Sequence, residues 1–181
     1  MRRILIALAV AAAVPVAATF SASAKQTPPA SPHRTTLQRD LQSAKAAAAR
    51  YHSFTQARKA GYSVAGEPCV ASPLGTMGIH AVNPVLMADP AINPLRPEIL
   101  LYVPKANGRL RLVGVEYWKA DADGNLGTDN DRPSTLGHPF DGPMPGHNPT
   151  MPVHYDLHVW LFAANPSGLF APFNPAVSCT P

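Results

Sequence analysis

Proline is the residue that most limits what this chain can fold into. The chain contains 21 prolines, and they become frequent beyond Gly61. Because proline lacks a backbone N–H donor and its ring clashes with the preceding helical turn, long helices are not expected in that part. The sequence therefore predicts one helical segment before Gly61 and a β-rich remainder after it.

The helical segment covers residues 35–60. Residues 35–38, Thr-Thr-Leu-Gln, match a capping box, and alanines, which favour helix, fill the interior. Apolar residues recur at spacings of three and four and form one face: Leu37, Leu41, Ala44, Ala48 and Tyr51. Gly61 lies where a helix would end. We expect this helix to cover the domain with its apolar face.

Three later segments have the patterns of β-strands. Residues 98–103 are a short apolar run, and residues 109–118 and 154–162 alternate between the two faces of a strand. Asn107-Gly108 is typical of a hairpin turn, so the first two segments are predicted antiparallel neighbours. The expected fold is α+β, a long N-terminal helix packed on a small antiparallel sheet or open barrel. Residues 120–152 are predicted to be a long connection.

The N-terminus has the three parts of a secretory signal peptide: Arg2 and Arg3, an apolar run over residues 4–18, and Ala22-Ser23-Ala24 at a cleavage position. The run is short for a membrane span, which needs about 20 residues. The prediction is a signal peptide at 1–24, a flexible leader at 25–34 and a single globular domain at 35–181. The domain would be secreted, to the cell envelope or outside the cell. An uncleaved anchor is the alternative.

Charge limits the choice of partner. The full chain has a net charge of +4, and removal of Arg2 and Arg3 with the signal peptide brings the mature domain closer to neutrality. Without a cluster of Lys and Arg, nucleic acid is not expected as a partner. No segment after the signal peptide is predicted to span a membrane. A small molecule or a metal ion remains as partner, and the oligomeric state is left open.

The two cysteines, Cys69 and Cys179, are expected to form a disulfide. Export places them in an oxidising compartment, where an even number of cysteines favours pairing. Neither has a second cysteine nearby, which argues against a thiolate metal site. The bond would tie the C-terminal segment, residues 165–181, to the start of the folded core as an ordered wrap.

Three His-bearing segments resemble those of a known group of proteins. They are Met-Gly-Ile-His-Ala-Val-Asn-Pro at 77–84, Val-Gly-Val-Glu-Tyr-Trp at 113–118, and His-Tyr-Asp-Leu-His-Val-Trp-Leu at 154–161, the last followed by Asn-Pro-Ser-Gly at 165–168. The chain resembles a group of small exported bacterial proteins of unassigned activity, from about residue 35 to residue 179. The resemblance implies no mechanism and no functional residues.

Histidines and acids in these segments are the candidate site. Imidazole and carboxylate together bind zinc, copper and iron, and the predicted ligands are His80, Glu116 and His158. Asp156 shares a strand face with His158. His154 lies about 13 Å from His158 along a strand, too far for both to bind one ion. His154 and Asp156 are therefore predicted to support the ligands.

Other interpretations stay open. The same residues could form a metal-free catalytic or binding cluster, or only a satisfied polar core. Two functions are therefore expected as alternatives. One is a metal-binding protein, which includes a metal-dependent enzyme acting on a small extracellular substrate, and the other is a non-catalytic extracellular or envelope binding module with structural histidines. A loop with Asp121, Asp123, Asp129 and Asp131 resembles a calcium loop only partly, and a solvated turn is favoured there. No nucleophile elbow or phosphate-binding loop is present in the sequence.

Overall fold

The computed structural model describes residues 32–64 and 68–181. The predicted signal peptide and residues 25–31 of the predicted leader lie outside them, so the boundary at residue 24 stays a prediction. Residues 32–34, predicted as the end of a flexible leader, instead belong to the first helix, which starts three residues earlier than expected. The described residues belong to a single compact unit, Ser31–Pro181. The fold is α+β, as expected.

The helical segment is divided where one long helix was predicted. Helix α1 covers Pro32–Ala48, a 3-10 turn covers Ala49–His52, and a short helix α2 covers Phe54–Lys59. The break has a tertiary cause, because the carbonyl of Tyr51 accepts a hydrogen bond from the buried hydroxyl of Tyr102 at 2.6 Å. Helix α2 ends before Gly61, which has a φ of 97°, as the sequence predicted.

The remainder is β-rich, with one further short helix, α3 (Pro84–Met87). The strands are, in chain order, β1 (Cys69–Ser72), β2 (Gly75–Val82), β3 (Ile99–Pro104), β4 (Leu110–Ala120), β5 (Ser134–Thr135), β6 (His138–Pro139), β7 (Asp141–Met144) and β8 (His154–Val159). Six of them form one antiparallel sheet in the order β1-β2-β3-β4-β8-β7, curled into a half-barrel. Strands β5 and β6 form a separate two-stranded hairpin.

The predicted hairpin is confirmed, because β3 pairs antiparallel with β4. The predicted long connection at 120–152 is wrong in part, since β5, β6 and β7 lie within it and β7 extends the main sheet. The predicted alternation of β4 is also interrupted. A register shift beside Leu101 makes Val113 an extra residue, and Leu112 therefore packs with the opposite face from Glu116 and Trp118.

The two faces of the sheet carry two different clusters. The helix side is the face that packs against α1, α2 and the 3-10 turn, and its buried sheet residues include Leu100, Tyr102, Val115, Tyr117, Tyr155, Leu157 and Val159. The site face is the opposite one, and its buried apolar residues are Ile99, Leu101, Val103, Val113, Trp118, Trp160 and Val177. Side chains alternate along a strand, so neighbouring residues of β3 belong to different clusters.

The C-terminal segment wraps back onto the sheet, as predicted. Asn174 exchanges two backbone hydrogen bonds with Thr76 at the start of β2, at 3.0 and 3.1 Å. Val177 is buried within the cluster of the site face. The predicted disulfide between Cys69 and Cys179 is present and closes a sequence separation of 110 residues.

Candidate metal centre

Three strands bring the predicted ligands to one place. Glu116 on β4 lies directly opposite His158 on β8, and His80 on β2 lies opposite Leu101 on β3. Residues that face each other in an antiparallel ladder point to the same side of the sheet. His80 therefore shares the site face with the other two, and in this curled sheet the three side chains converge over β3.

The distances within this trio suit a single ion. Nε2 of His80 lies 3.2 Å from Oε2 of Glu116, and Nε2 of His158 lies 3.6 Å from the same oxygen. One nitrogen or oxygen atom from each residue lies within 4.8 Å of the others. Ligand bonds to zinc are about 2.0–2.2 Å, which places ligand atoms about 3–4 Å apart. The trio could hold a metal ion.

Burial makes the trio unusual. Glu116 is 3% exposed and His158 is 1% exposed, whereas the side chain of His80 is 15% exposed. Oε2 of Glu116 and both ring nitrogens of His158 are buried without a hydrogen-bond partner. The 3.2 Å contact from His80 is close, but it is not aligned as a hydrogen bond. Buried polar atoms are nearly always paired, so these three atoms need an explanation.

Charge is coupled within the trio. Burial alone would raise the pKa of the Glu116 carboxyl, but the adjacent His158 and His80 outweigh burial and lower it below its ordinary 4.5. Burial alone would lower the pKa of His158, but Glu116 and Asp156 outweigh burial and raise it above its ordinary 6.5. Glu116 is therefore a carboxylate that attracts cations, and His158 faces acids on two sides.

Asp156 meets the other side of the His158 ring. Its Oδ1 lies 3.6 Å from Nδ1 of His158, opposite the nitrogen that faces Glu116. Asp156 therefore does not join the trio, although both residues share a strand face as predicted. Asp141 on β7 lies directly opposite Asp156, and its pKa is raised by burial and by Asp156. The sequence did not indicate Asp141, because β7 itself was not predicted.

His154 lies farther along β8 and contacts different groups. Its ring stacks on Trp118 at a centroid distance of 5.7 Å, and its Nδ1 lies 3.1 Å from the carbonyl of Pro152. The exposed His147 packs edge-on against it at 5.0 Å. His147 was not singled out in the sequence, and its turn-rich surroundings give no signal for it. The supporting roles of His154 and Asp156 stay predictions.

The acidic loop after β4 has the bonding of a turn. Asp121, Asp123 and Asp131 accept backbone N–H donors from Asp123, Asn125 and Ala122 respectively. Thr128 also donates its hydroxyl to Asp123 at 2.8 Å. Among residues 32–64 and 68–181, the three or more potential ligands that lie close enough to share an ion are those of the His80, Glu116 and His158 trio, and the aspartates of this loop do not form such a group. The turn interpretation is therefore favoured over a calcium site.

Comparison with known proteins gives no family for this chain: no family model, no curated protein and no solved structure matches it. Within the part of the chain that the structure describes, no helix combines the length and the apolar character needed to cross a membrane.

Proposed function

We propose that this protein is an exported metal-binding protein whose centre holds a divalent transition metal, zinc, copper or iron. His80 and His158 would supply Nε2 ligands and Glu116 a carboxylate ligand. The disulfide supports the export part of the proposal, because disulfides persist in oxidising compartments.

One observation carries this proposal. Among the described residues, five buried side-chain atoms lack a hydrogen-bond partner, and three of them belong to Glu116 and His158. Two of these, Oε2 of Glu116 and Nε2 of His158, face each other beside Nε2 of His80. An ion bound by the trio would satisfy both atoms at once, and it would compensate the buried carboxylate.

The surrounding residues suit this role. Asp156 would accept a hydrogen bond from Nδ1 of His158 and so leave Nε2 as the free ligand nitrogen, the arrangement common around metal-bound histidines. His80 is the most exposed of the trio, so an ion would enter from its side. An open position beside His80 would admit water or a small substrate, and a bound metal there would act as a Lewis acid.

A second candidate is a non-catalytic binding module with structural histidines. The observation that favours it is the position of His158 between two carboxylates, at 3.6 Å from each. A protonated His158 would then be the cation that compensates Glu116, and metal would not be needed. The two candidates differ in whether the folded protein takes up metal.

Metal content decides between them. The protein is purified without a histidine tag, incubated separately with zinc, copper(II) and iron(II), dialysed, and analysed for bound metal. We expect close to one ion per chain for at least one metal, and loss of that ion in His80→Ala and His158→Ala. A matched control is His52→Ala, which removes an exposed histidine whose ring contacts Phe162 outside the trio.

The folded state of each variant is checked by circular dichroism. Wild-type protein that stays metal-free, with a melting temperature unchanged by all three metals, would contradict metal binding and favour the second candidate. Uptake that persists in both His→Ala variants would place the ion elsewhere.

A further inference from the structure

The C-terminal segment crosses the same face of the sheet as the metal centre. We propose that residues 174–181 form a strap over this face, and that the Cys69–Cys179 disulfide is a reducible latch controlling exchange of the metal. This inference rests on the proposed metal centre, and it adds the regulation of that centre.

The strap is tied down at its start. Asn174 is fully buried, and besides its backbone pairing with Thr76 its side chain donates to the carbonyl of Ala164 at 3.1 Å. Gly75 permits this crossing: a Cβ at residue 75 would lie 2.5 Å from the carbonyl carbon of Asn174, and its φ is +130°. The strap therefore reaches β2 four residues before the ligand His80.

The middle of the strap packs on the site face of the sheet. Val177 is 8% exposed and shares a cluster with Leu101, Ile99 and Trp160. Leu101 is the cross-strand partner of His80, and Ile99 is the cross-strand partner of Glu116. Val177 thus belongs to the apolar cluster whose β3 members lie opposite two of the ligands.

The disulfide is the last attachment of the strap. Beyond Val177, the disulfide itself and a 3.7 Å contact from Cys179 Sγ to the carbonyl of Val70 join the strap to the rest of the domain. Both cysteines are partly exposed, so a reductant can reach the bond. Without it, the packing of Val177 alone would hold the end, and such weakly held segments open locally.

The chemistry of the latch is thiol–disulfide exchange with a dithiol. One thiolate attacks a sulfur of the bond to give a mixed disulfide, and the second thiolate displaces the protein sulfur. The protein gains two electrons and two protons as two cysteine thiols, and the dithiol leaves as a cyclic disulfide. Reversal by a disulfide oxidant would close the strap again.

The test measures metal release from cobalt(II)-loaded protein, in which the visible absorption of cobalt reports occupancy. Excess EDTA extracts the ion, before and after reduction with a water-soluble trialkylphosphine, which becomes the phosphine oxide and adds no thiol ligand. We expect extraction to be at least about tenfold faster after reduction, because the strap could then open without unfolding of the rest of the domain. Circular dichroism is expected to remain that of folded protein. Cys179→Ser is expected to release cobalt fast with or without the phosphine.

Two glycine variants test the effect of moving the strap while the disulfide stays intact. Gly75→Ala displaces the strap with the disulfide intact and is expected to speed extraction. Gly124→Ala also places alanine at a positive φ, but its Cβ meets nothing within 4 Å, so it is expected to leave the rate unchanged.

The other possible outcomes contradict either the latch alone or the metal centre together with the latch. Equal rates before and after reduction, within about twofold, would overturn the latch and leave the metal centre standing. Loss of metal together with global loss of circular dichroism would also overturn it, because the disulfide would then only maintain the fold. Oxidised protein that binds no cobalt, zinc, copper or iron would remove the metal centre itself, and the latch with it.

Discussion

The two faces of the sheet differ in the hydrogen bonding of their buried side chains. On the helix side, the hydroxyls of Tyr102 and Tyr117 donate to the carbonyls of Tyr51 and Pro94 at 2.6 and 2.7 Å. On the site face, Glu116, His158 and the Nε1 atom of Trp118 have buried atoms without partners. The two tyrosines of the helix side gain stability from paired hydroxyls, whereas the site face keeps unpaired atoms on Glu116 and His158 that a bound ion could satisfy.

The largest expected effect is on the helix side. Leu100 is fully buried in that cluster, and Leu100→Ala is expected to lower the free energy of unfolding by about 3 kcal/mol through lost burial and a cavity. The loss should be equal with and without metal, as measured by urea denaturation. A loss that disappears on adding metal would contradict the separation of the two faces.

Two buried glutamates, Glu98 and Glu116, are expected to change the stability of the protein with pH in opposite directions. Glu98 is 1% exposed and accepts the backbone N–H of Trp118, and burial raises its pKa from 4.5 to about 7. Because the pKa is raised on folding, the Glu98 carboxyl costs no stability below about pH 4.5 and destabilises increasingly as the pH rises through 7. Glu98→Gln is expected to raise the free energy of unfolding by about 2 kcal/mol at pH 8 and by much less at pH 4.5.

Glu116 is expected to show the opposite sign. Its pKa is lowered on folding, so its contribution is present above pH 4.5 and is lost as the pH falls below that value. In metal-free protein, Glu116→Gln should therefore be destabilising at pH 6 and lose its effect in acid. If the change in free energy of unfolding followed pH in the same way for both Glu→Gln variants, the opposite pKa shifts of Glu98 and Glu116 would be contradicted.

A smaller effect is expected from removing one paired hydroxyl. Tyr102→Phe leaves the Tyr51 carbonyl without its donor and should cost about 1–2 kcal/mol in urea denaturation. Tyr155→Phe is the matched control, because the Tyr155 hydroxyl donates to Asp131, which is only partly buried. In that variant Asp131 would still accept the hydrogen bond from the Ala122 N–H, so a smaller loss is expected. Equal losses in the two variants would mean that burial of the acceptor does not matter here.

The part of the fold with clear periodicity was predictable. Alternation in residues 109–118 and 154–162 and the Asn107-Gly108 turn led to β4, β8 and the hairpin. Strands β1 and β2 were missed, because the Gly-rich approach to His80 has the composition of a loop. The helix break after Ala48 was missed as well, since it depends on the distant Tyr102.

The candidate site was predictable in its members but not in its assembly. Residue type and strand face selected His80, Glu116 and His158, and the structure brings these three together. Their convergence depends on strand order, with β8 beside β4 and β2 one strand beyond β3. Strand order is set by packing of the whole sheet, and no local pattern encodes it.

X-ray absorption at the zinc edge of zinc-loaded protein would show whether one ion is bound jointly by His80 on β2, Glu116 on β4 and His158 on β8. We expect a first shell with two imidazole nitrogens and a carboxylate oxygen at about 2.0–2.2 Å in the wild-type protein, and no such shell in His158→Ala, which should not retain zinc. A spectrum of fully hydrated zinc in the wild-type protein, or the same imidazole shell retained in His158→Ala, would show that zinc is not bound by these three residues.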